Sequence, residues 1–482
     1  MPHSHKKISW QHTCDYPPKA ADGHKSVTPA WSRGIQAVQD ACTDCDICRS
    51  LMEDSCLLFP ELYRQYDLKR EKGKSIGVED LHRILDLCTL CGLCPCPNIR
   101  ADLIRSKTDR VSAKGMPIHI RLLEDVQRAG RLGGKLPGVI NTLQSFAPVD
   151  RLAKKIAGIH PQRRLPRLPR ENFFAWAHRK GLDRNEHRSH GIAYFAGCTA
   201  GYLFPEVARA AVAVLRHNGH SVYVPPQQCC GMPTLLEGDE KTTLNRSRFN
   251  LKALLTAHHD GYKLVCSCPT CGFLMKVLLS EGACYANAYQ KSVNAGENEI
   301  KFLDRQGKKE GFIRLKKSIY DNLLRDDGYF ASFDPLDRVA LSASMLDMGE
   351  LLSRLHDRNK LNTCFGKQPF RLVYYAPCHQ REQAVGTPYL DIMRKIPGLS
   401  IEPIGSSMDC CGMGGSLGFK KEFHNKSLEL GLPLIKKIQD ADPQGIVTDC
   451  LSCRLQFQHT MSYPVHHPLE ILKQAYESFE QV

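Results

Sequence analysis

The sequence predicts a multidomain protein of α+β and α/β class, a helical cysteine-rich domain followed by two duplicated Rossmann-like βαβαβ modules. Three observations predict it. Cysteines recur in a fixed order at a nearly constant offset, strand and helix signals alternate between them, and two C-x2-C-x2-C runs precede the repeat. Cys198, Cys229–Cys230 and Cys268-x2-Cys271 reappear as Cys378, Cys410–Cys411 and Cys450-x2-Cys453, offset by 180, 181 and 182 residues. Gly231 and Gly412 directly follow the paired cysteines.

Within the first module, Ile192-Ala-Tyr-Phe-Ala reads as a short buried strand ending just before Cys198. Pro205-Glu206 opens a helix with Val207, Ala211, Val214 and Leu215 on one face, and Asn218-Gly219 ends it. Ser221-Val-Tyr-Val is the next strand, before Cys229–Cys230. A helix around Leu244–Ala257 leads to Tyr262-Lys-Leu-Val and then to Cys268. The second module repeats the pattern, with Leu372-Val-Tyr-Tyr before Cys378, Leu399-Ser-Ile-Glu before Cys410 and Gly445-Ile-Val before Cys450. All five cysteines of each module are thus expected beyond the carboxyl ends of parallel strands, where open α/β sheets bind ligands. Gly231 and Gly412 are expected to let backbone pass close to a bulky bound group.

The expected organisation is a polar tail over 1–36, the helical two-cluster domain over 37–112 and a basic connecting arm over 113–190. The first module follows over 191–290, an insertion and the helix completing that module over 291–365, and the second module over 366–482. Glu350 in Met348-Gly-Glu-Leu-Leu aligns with Glu470 in Pro468-Leu-Glu-Ile-Leu, which places an insertion around Tyr285–Ser344 in the first copy.

The chain of 482 residues begins with a short, polar, basic stretch and has no apolar run long enough to span a bilayer. Its 22 cysteines are therefore expected to be reduced, in a cytoplasmic setting, and metal ligation outranks disulfides. Five cysteines per module, two of them adjacent, suit a polynuclear iron–sulfur cluster better than tetrahedral zinc. Zinc in a binding protein remains the rival reading. The formal net charge of +14 falls once anionic clusters are counted. What is left reads equally as a solvated surface or as attraction for acidic partners or an anionic membrane.

The N-terminal runs are Cys42-x2-Cys45-x2-Cys48-x7-Cys56 and Cys88-x2-Cys91-x2-Cys94-x-Cys96. Three cysteines so spaced wrap one [4Fe–4S] cubane, and in two-cluster ferredoxins the fourth ligand comes from the other run. The expected sets are Cys42, Cys45, Cys48 and Cys96, and Cys88, Cys91, Cys94 and Cys56. Cys266 reads as packing, because Thr448 replaces it in the repeat. Cys14, Cys284 and Cys364 read as ordinary thiols, and His3, His5, His466 and His467 as solvent-exposed. His379, beside Cys378, is the candidate catalytic or cluster-tuning residue, with a structural histidine as the alternative.

With these motifs in place, the chain resembles the CCG-domain iron–sulfur oxidoreductases. The members that it resembles fuse a two-cubane ferredoxin domain to two CCG modules. Examples are the C subunit of anaerobic glycerol-3-phosphate dehydrogenase, the D subunit of heterodisulfide reductase and the iron–sulfur subunit of glycolate oxidase. Phe195-Ala-Gly-Cys-Thr-Ala-Gly-Tyr, Cys229-Cys-Gly-Met-Pro and Cys410-Cys-Gly-Met-Gly-Gly carry the resemblance. It implies one or two further [4Fe–4S] clusters, cubane or non-cubane. One would be held by Cys198, Cys229, Cys230, Cys268 and Cys271, the other by Cys378, Cys410, Cys411, Cys450 and Cys453.

No G-x-G-x-x-G turn is present, so a flavin would belong to a separate protein. The leading expectation is an electron-transfer subunit that links a flavoprotein dehydrogenase to a quinone, disulfide or protein acceptor. The resemblance also implies an alternative, disulfide cleavage at a CCG-bound cluster. Nucleic acid is not an expected partner, because the arginine-rich arm lacks interleaved aromatics apart from Phe173, Phe174 and Trp176. The arm from Leu132 to Arg188 is a candidate for membrane or partner docking, through Leu136, Val139, Ile140, Leu143, Leu152, Ile156 and Ile159. Arg163, Arg164, Arg167, Arg170, Arg179 and Lys180 would supply charge beside them. The competing reading packs its apolar side on the helical domain.

Overall fold

The computed structural model describes residues 32–73, 76–94, 96–186, 191–303, 312–320, 325–326 and 328–480. The expected tail thus lies largely outside the described residues, with His3, His5 and Cys14. The chain is already helical at Ser32, before the expected start of the domain at 37.

Helices Ser32–Cys45, Leu58–Lys72, Val78–Leu87 and Pro97–Lys114, with the short helix Ile47–Leu51, form the N-terminal domain among the described residues. Apolar residues at helical spacing (Ile35, Val38 and Cys42; Leu58, Leu62; Leu81, Ile84, Leu85) close one small core. Leu417 and Phe423, from the far end of the chain, complete it.

The arm is not a bare connector. It forms the helices Ile118–Glu124, Val126–Gly133, Pro137–Ser145 and Ala147–Ile156, then Phe173–Arg179. Phe173, Ala177 and Leu182 enter the core of the first module. The reading that packs the arm's apolar side on the helical domain is overturned. Helix Pro137–Ser145 buries no residue, and Leu136, Val139, Leu143, Leu152 and Ile156 are exposed. Of the expected docking residues, Ile159 and Arg163 are buried instead, and Arg179 pairs with Glu171.

The first module's sheet contains β1 (Ile192–Phe195), β2 (Val222–Tyr223) and β3 (Lys263–Cys266). The insertion adds an antiparallel hairpin, β4 (Glu299–Leu303) and β5 (Phe312–Lys316), before β6 (Met345–Asp347). The second module contains β7 (Arg371–Tyr375), β8 (Ser400–Pro403), β9 (Gly445–Thr448) and β10 (Val465–His466). The sheets run β2-β1-β3-β6 and β10-β9-β7-β8, with every neighbouring pair parallel. Among the described residues each module's parallel sheet therefore has four strands, not the three expected. β6 and β10 are too short to show a strand period in sequence, and each leads into one of the two helices aligned through Glu350 and Glu470.

Helices Pro205–His217 and Pro468–Glu480 pack together, and one core holds Val207, Ala211, Leu355, Tyr389, Leu472 and Tyr476 from both modules. Three parts of the chain are pinned at one buried polar knot. Lys107 Nζ of the N-terminal domain donates to Cys88 O at 2.8 Å and Leu236 O at 2.9 Å. Glu237 of the first module accepts from Lys420 Nζ of the second at 2.7 Å, and also from Ser416 Oγ. Burial alone would raise the Glu237 carboxyl, but Lys420 and Lys107 hold it below its ordinary value of 4.5. A carboxyl depressed by folding contributes its stability above its unfolded value, so this pair acts from neutral pH down to about 4.5.

Removing one partner of such a pair leaves an uncompensated buried charge, which costs roughly 3–5 kcal/mol. Glu237→Ala is expected to lower stability at pH 7 by about that amount. Chemical denaturation of anaerobically handled protein checks this, and a loss below about 1 kcal/mol would show that the knot is not needed.

Candidate metal centres

The N-terminal cysteines fall into two groups. Cys42, Cys45, Cys48 and Cys96 line one cavity with Tyr63 and Ile99. Cys56, Cys88, Cys91 and Cys94 line another, whose far wall is Cys378, Arg381 and Cys410 of the second module. Local backbone explains the convergence. Asp46 (φ 56°), Leu90 (φ 51°) and Gly92 (φ 89°) adopt left-handed conformations that fold each run back on itself. Burial is the main cause that pushes the thiols of Cys48 up to about 11 and Cys56 up to about 12, with neighbouring thiols adding to it.

The module cysteines lie at the carboxyl ends of the two sheets, which face each other across one crevice. Cys198, Cys230, Cys268 and Cys271 line one side and Cys378, Cys410, Cys411, Cys450 and Cys453 the other, with Thr89 and Cys91 also reaching in. Cys229 is buried behind this surface, its Sγ 3.3 Å from that of Cys198. Hydrogen bonding with Cys198 and Cys230 holds the Cys229 thiol well below the usual range. In the second module the lowered thiol is Cys411, through hydrogen bonds from Cys410 and Cys453. Each of these two also faces a buried arginine, Arg246 for Cys229 and Arg163 for Cys411.

Gly231 (φ 106°) and Gly412 (φ 84°) are left-handed, but their role differs from the one expected. A Cβ on Gly412 would sit 2.1 Å from Ser427 O, so it is close approach to the helix His424–Ala441, together with positive φ, that requires glycine.

His379 connects three elements. Its Nε2 lies 3.0 Å from Leu90 O, between Cys88 and Cys91, and so must carry the proton. Its Nδ1, 3.0 Å from Thr270 Oγ1, is then the acceptor, between Cys268 and Cys271. The ring stacks on Phe273, and burial lowers its pKa to about 4, so it is neutral. Cys266 is fully buried at the end of β3 and does not line the crevice. Cys284 is half-buried and Cys364 exposed. His467 corrects the sequence reading. It is buried, accepts from Leu469 N–H at Nδ1 (3.2 Å) and donates to Ser267 O (3.3 Å), and His466 is half-buried.

Sequence reasoning missed Gln127, Arg163, Arg246 and Arg381. Gln127 Oε1, on the arm, accepts from Cys229 N–H at 2.6 Å. Arg381 faces Cys378 and Cys410, and its place three residues after Cys378 was the one available signal. Nothing local marks Arg163, which is 293 residues from its partner Gln456.

The donor sets suit iron–sulfur clusters. The crevice lining holds ten thiols and no carboxylate, and sulfur-only ligation of this kind favours such clusters. Among the described residues, no three His, Cys, Asp or Glu side chains converge as ligands of a single metal ion. The thiols ring cavities instead.

Comparison with known proteins agrees with this arrangement. The CCG cysteine-rich domain matches residues 192–276 and 372–458. The C subunit of anaerobic glycerol-3-phosphate dehydrogenase from Escherichia coli is 23% identical over 356 residues, 73% of this chain and 76% of the relative. The B subunit of fumarate reductase (CoM/CoB) from Methanothermobacter marburgensis is 24% identical over 294 residues, 59% of this chain and 46% of the relative. An uncharacterized iron–sulfur protein of Methanocaldococcus jannaschii is 22% identical over 441 residues, 87% of this chain and 68% of the relative.

Cys229→Ala and Cys411→Ala are each expected to lower iron content and remove one spectroscopic signal, leaving the other module's signal intact. Iron counts and EPR on anaerobically purified variants check this. Loss of both signals from either change would instead mean that the two halves of the crevice assemble as one unit.

Proposed function

We propose that this chain, which carries two CCG cysteine-rich domains and is homologous to the C subunit of anaerobic glycerol-3-phosphate dehydrogenase, is an iron–sulfur electron-transfer subunit of a redox enzyme. Its partner on this reading is a flavoprotein dehydrogenase, and its acceptor a quinone, disulfide or redox protein. The observation that carries the reading is the unbroken succession of thiol sets. Cys48 of the first N-terminal set lies in one core against which Cys56, Cys88 and Cys94 of the second pack, and Cys91 shares a cavity with Cys378 and Cys410. Cys378 in turn opens on the crevice that the first module's thiols share. Clusters held in these sets would supply one-electron storage and transfer. The protein's own residues fix the spacing: His379 and the Glu237–Lys420 pair hold the sets in register.

The facing thiol sets favour a second reading, disulfide cleavage in the crevice. A substrate there would touch both sets at once, with Thr199, Thr270 and His379 around it. Neutral His379 does not supply a proton on this reading, because its one N–H is given to Leu90 O.

Reduced protein is expected to be reoxidised rapidly by a soluble quinone. Stopped-flow bleaching with a quinone, and separately with a mixed alkyl disulfide, decides between the readings. Reoxidation by the disulfide alone would transfer support to the cleavage reading, and reoxidation by neither would remove that reading and leave a redox protein as the acceptor in the first.

The exposed helices of the arm support peripheral attachment at an anionic membrane face on the cytoplasmic side. No helix among the described residues is long and apolar enough to cross a membrane. Ile118, Leu122, Leu132, Leu136, Val139, Leu143, Phe146, Leu152 and Ile156 are exposed over 39 residues. The acids of that stretch are spent internally, Glu124 by burial, Asp125 on Arg246 and Asp150 on Lys154. The remaining charge is basic, and each basic residue near such a surface contributes about 1 kcal/mol. Co-sedimentation with phosphatidylserine vesicles is expected, weakened by salt and by Leu136→Asp with Leu143→Asp. Equal sedimentation of that variant would remove the attachment.

A further inference from the structure

Arg163 is a buried cation without an acidic partner. It is fully buried where the arm crosses the second module. Its Nη1 donates to Gln456 Oε1 at 2.6 Å, its Nη2 lies 2.9 Å from Met413 Sδ, and its guanidinium sits 4.9 Å over the Phe419 ring. Its Nε has no partner, and among the described residues no carboxylate joins it. Met413, which it touches, lines the crevice two residues from Cys411, and the Cys411 thiol is the acidic group that it faces. His160, His424 and His459 pack beside it, His160 and His424 stacked at 4.0 Å, and none of them can bring counter-charge. A buried charge left unpaired is strongly unfavourable, so this position requires standing negative charge on the thiol side.

The first module is built differently. Arg246, which faces Cys229, is cancelled by Asp125 at 2.6 Å. Arg381 adds a second cation beside Cys378 and Cys410, its hydrogen bonds going to the carbonyls of Ala376 and Asp409. The repeat position of Arg381 in the first module is Gly201, which offers no charge. Two sets of five thiols thus sit in unequal fields.

We infer that Arg163 is a positioning and charge-setting residue of the second module, holding a cluster there at a higher reduction potential than one held in the first. The inference rests on the proposed reading that both thiol sets bind clusters. Reduction adds negative charge, which an uncancelled cation favours and the neutral Arg246–Asp125 pair does not. The potential difference would draw electrons arriving from the N-terminal domain to the second module, the one whose Cys378 and Cys410 wall the adjoining cavity.

The test is an EPR-monitored redox titration of the anaerobically purified full chain, with signals assigned to each module by Cys229→Ala and Cys411→Ala. Arg163→Gln is expected to lower the second module's reduced-to-oxidised ratio at fixed potential at least tenfold, about 59 mV for a one-electron couple. The first module's signal should not move, and Arg163→Lys, which keeps the charge, should recover most of the shift. Asp125→Asn, on a partly exposed residue, should raise the first module's midpoint, and it decides the matter if Arg163→Gln fails to assemble. Equal shifts in Arg163→Gln and Arg163→Lys, an unmoved second-module midpoint in assembled Arg163→Gln, an unmoved first-module midpoint in Asp125→Asn where Arg163→Gln does not assemble, or a wild-type second module no higher in potential than the first, would overturn the inference. Iron missing from either module of the wild type would instead overturn the cluster reading on which it stands.

Discussion

The crevice exists because two sheet edges are held mouth to mouth, and the Glu237–Lys420 pair sits where they are joined. Parallel strands direct their loops to one end, so each module gathers its own five thiols without help. Bringing the two groups together is another matter. It needs contacts across the seam, and beside the shared apolar core these include buried polar ones: Glu237 with Lys420, Lys107 with Leu236 O, and His379 with Leu90 O and Thr270. Polar contacts specify one register where an apolar seam could slide, because a displaced partner would be left buried and unsatisfied.

The modules were legible in the sequence for a simple reason. Thiols just after short apolar strands state both where the strand ends and what lies beyond it, and the duplication states it twice. Cys42 to Cys96 were legible as two runs, and the cavities group them as Cys42, Cys45, Cys48 and Cys96 against Cys56, Cys88, Cys91 and Cys94. The fourth strands were not legible, since two or three residues carry no period. Nor was burial of Arg163 or His467. Basic and imidazole side chains near the surface and in the core look alike in sequence, and here the decisive partners, Gln456 and Ser267, lie 293 and 200 residues away.

The duplication supplies a frame rather than two equal sites. Thr199 and His379 occupy matching positions, as do Gly201 and Arg381, and the larger side chains of the second copy reach further, His379 to Leu90 O and Thr270 and Arg381 to the carbonyls of Ala376 and Asp409. The insertion likewise enlarges the first copy alone, anchored by buried Arg338 on Asp326 and on the carbonyls of Leu279 and Glu281. Repetition fixed the backbone, and divergence at a handful of positions separated the surroundings of the two thiol sets.

The wall that Cys378, Arg381 and Cys410 give to the Cys56–Cys94 cavity has a consequence for how the chain is made. Domains generally fold as they leave the ribosome, N-terminal first. Here the helical thiol domain cannot close its second cavity until residues some 290 positions later have been synthesised, as the shared wall and the 289-residue span of the His379–Leu90 hydrogen bond show. Contacts of such long range form slowly. During that interval the thiols of Cys88, Cys91 and Cys94 stand open to solvent and oxidants. A chain of this design depends on its last quarter to protect its first.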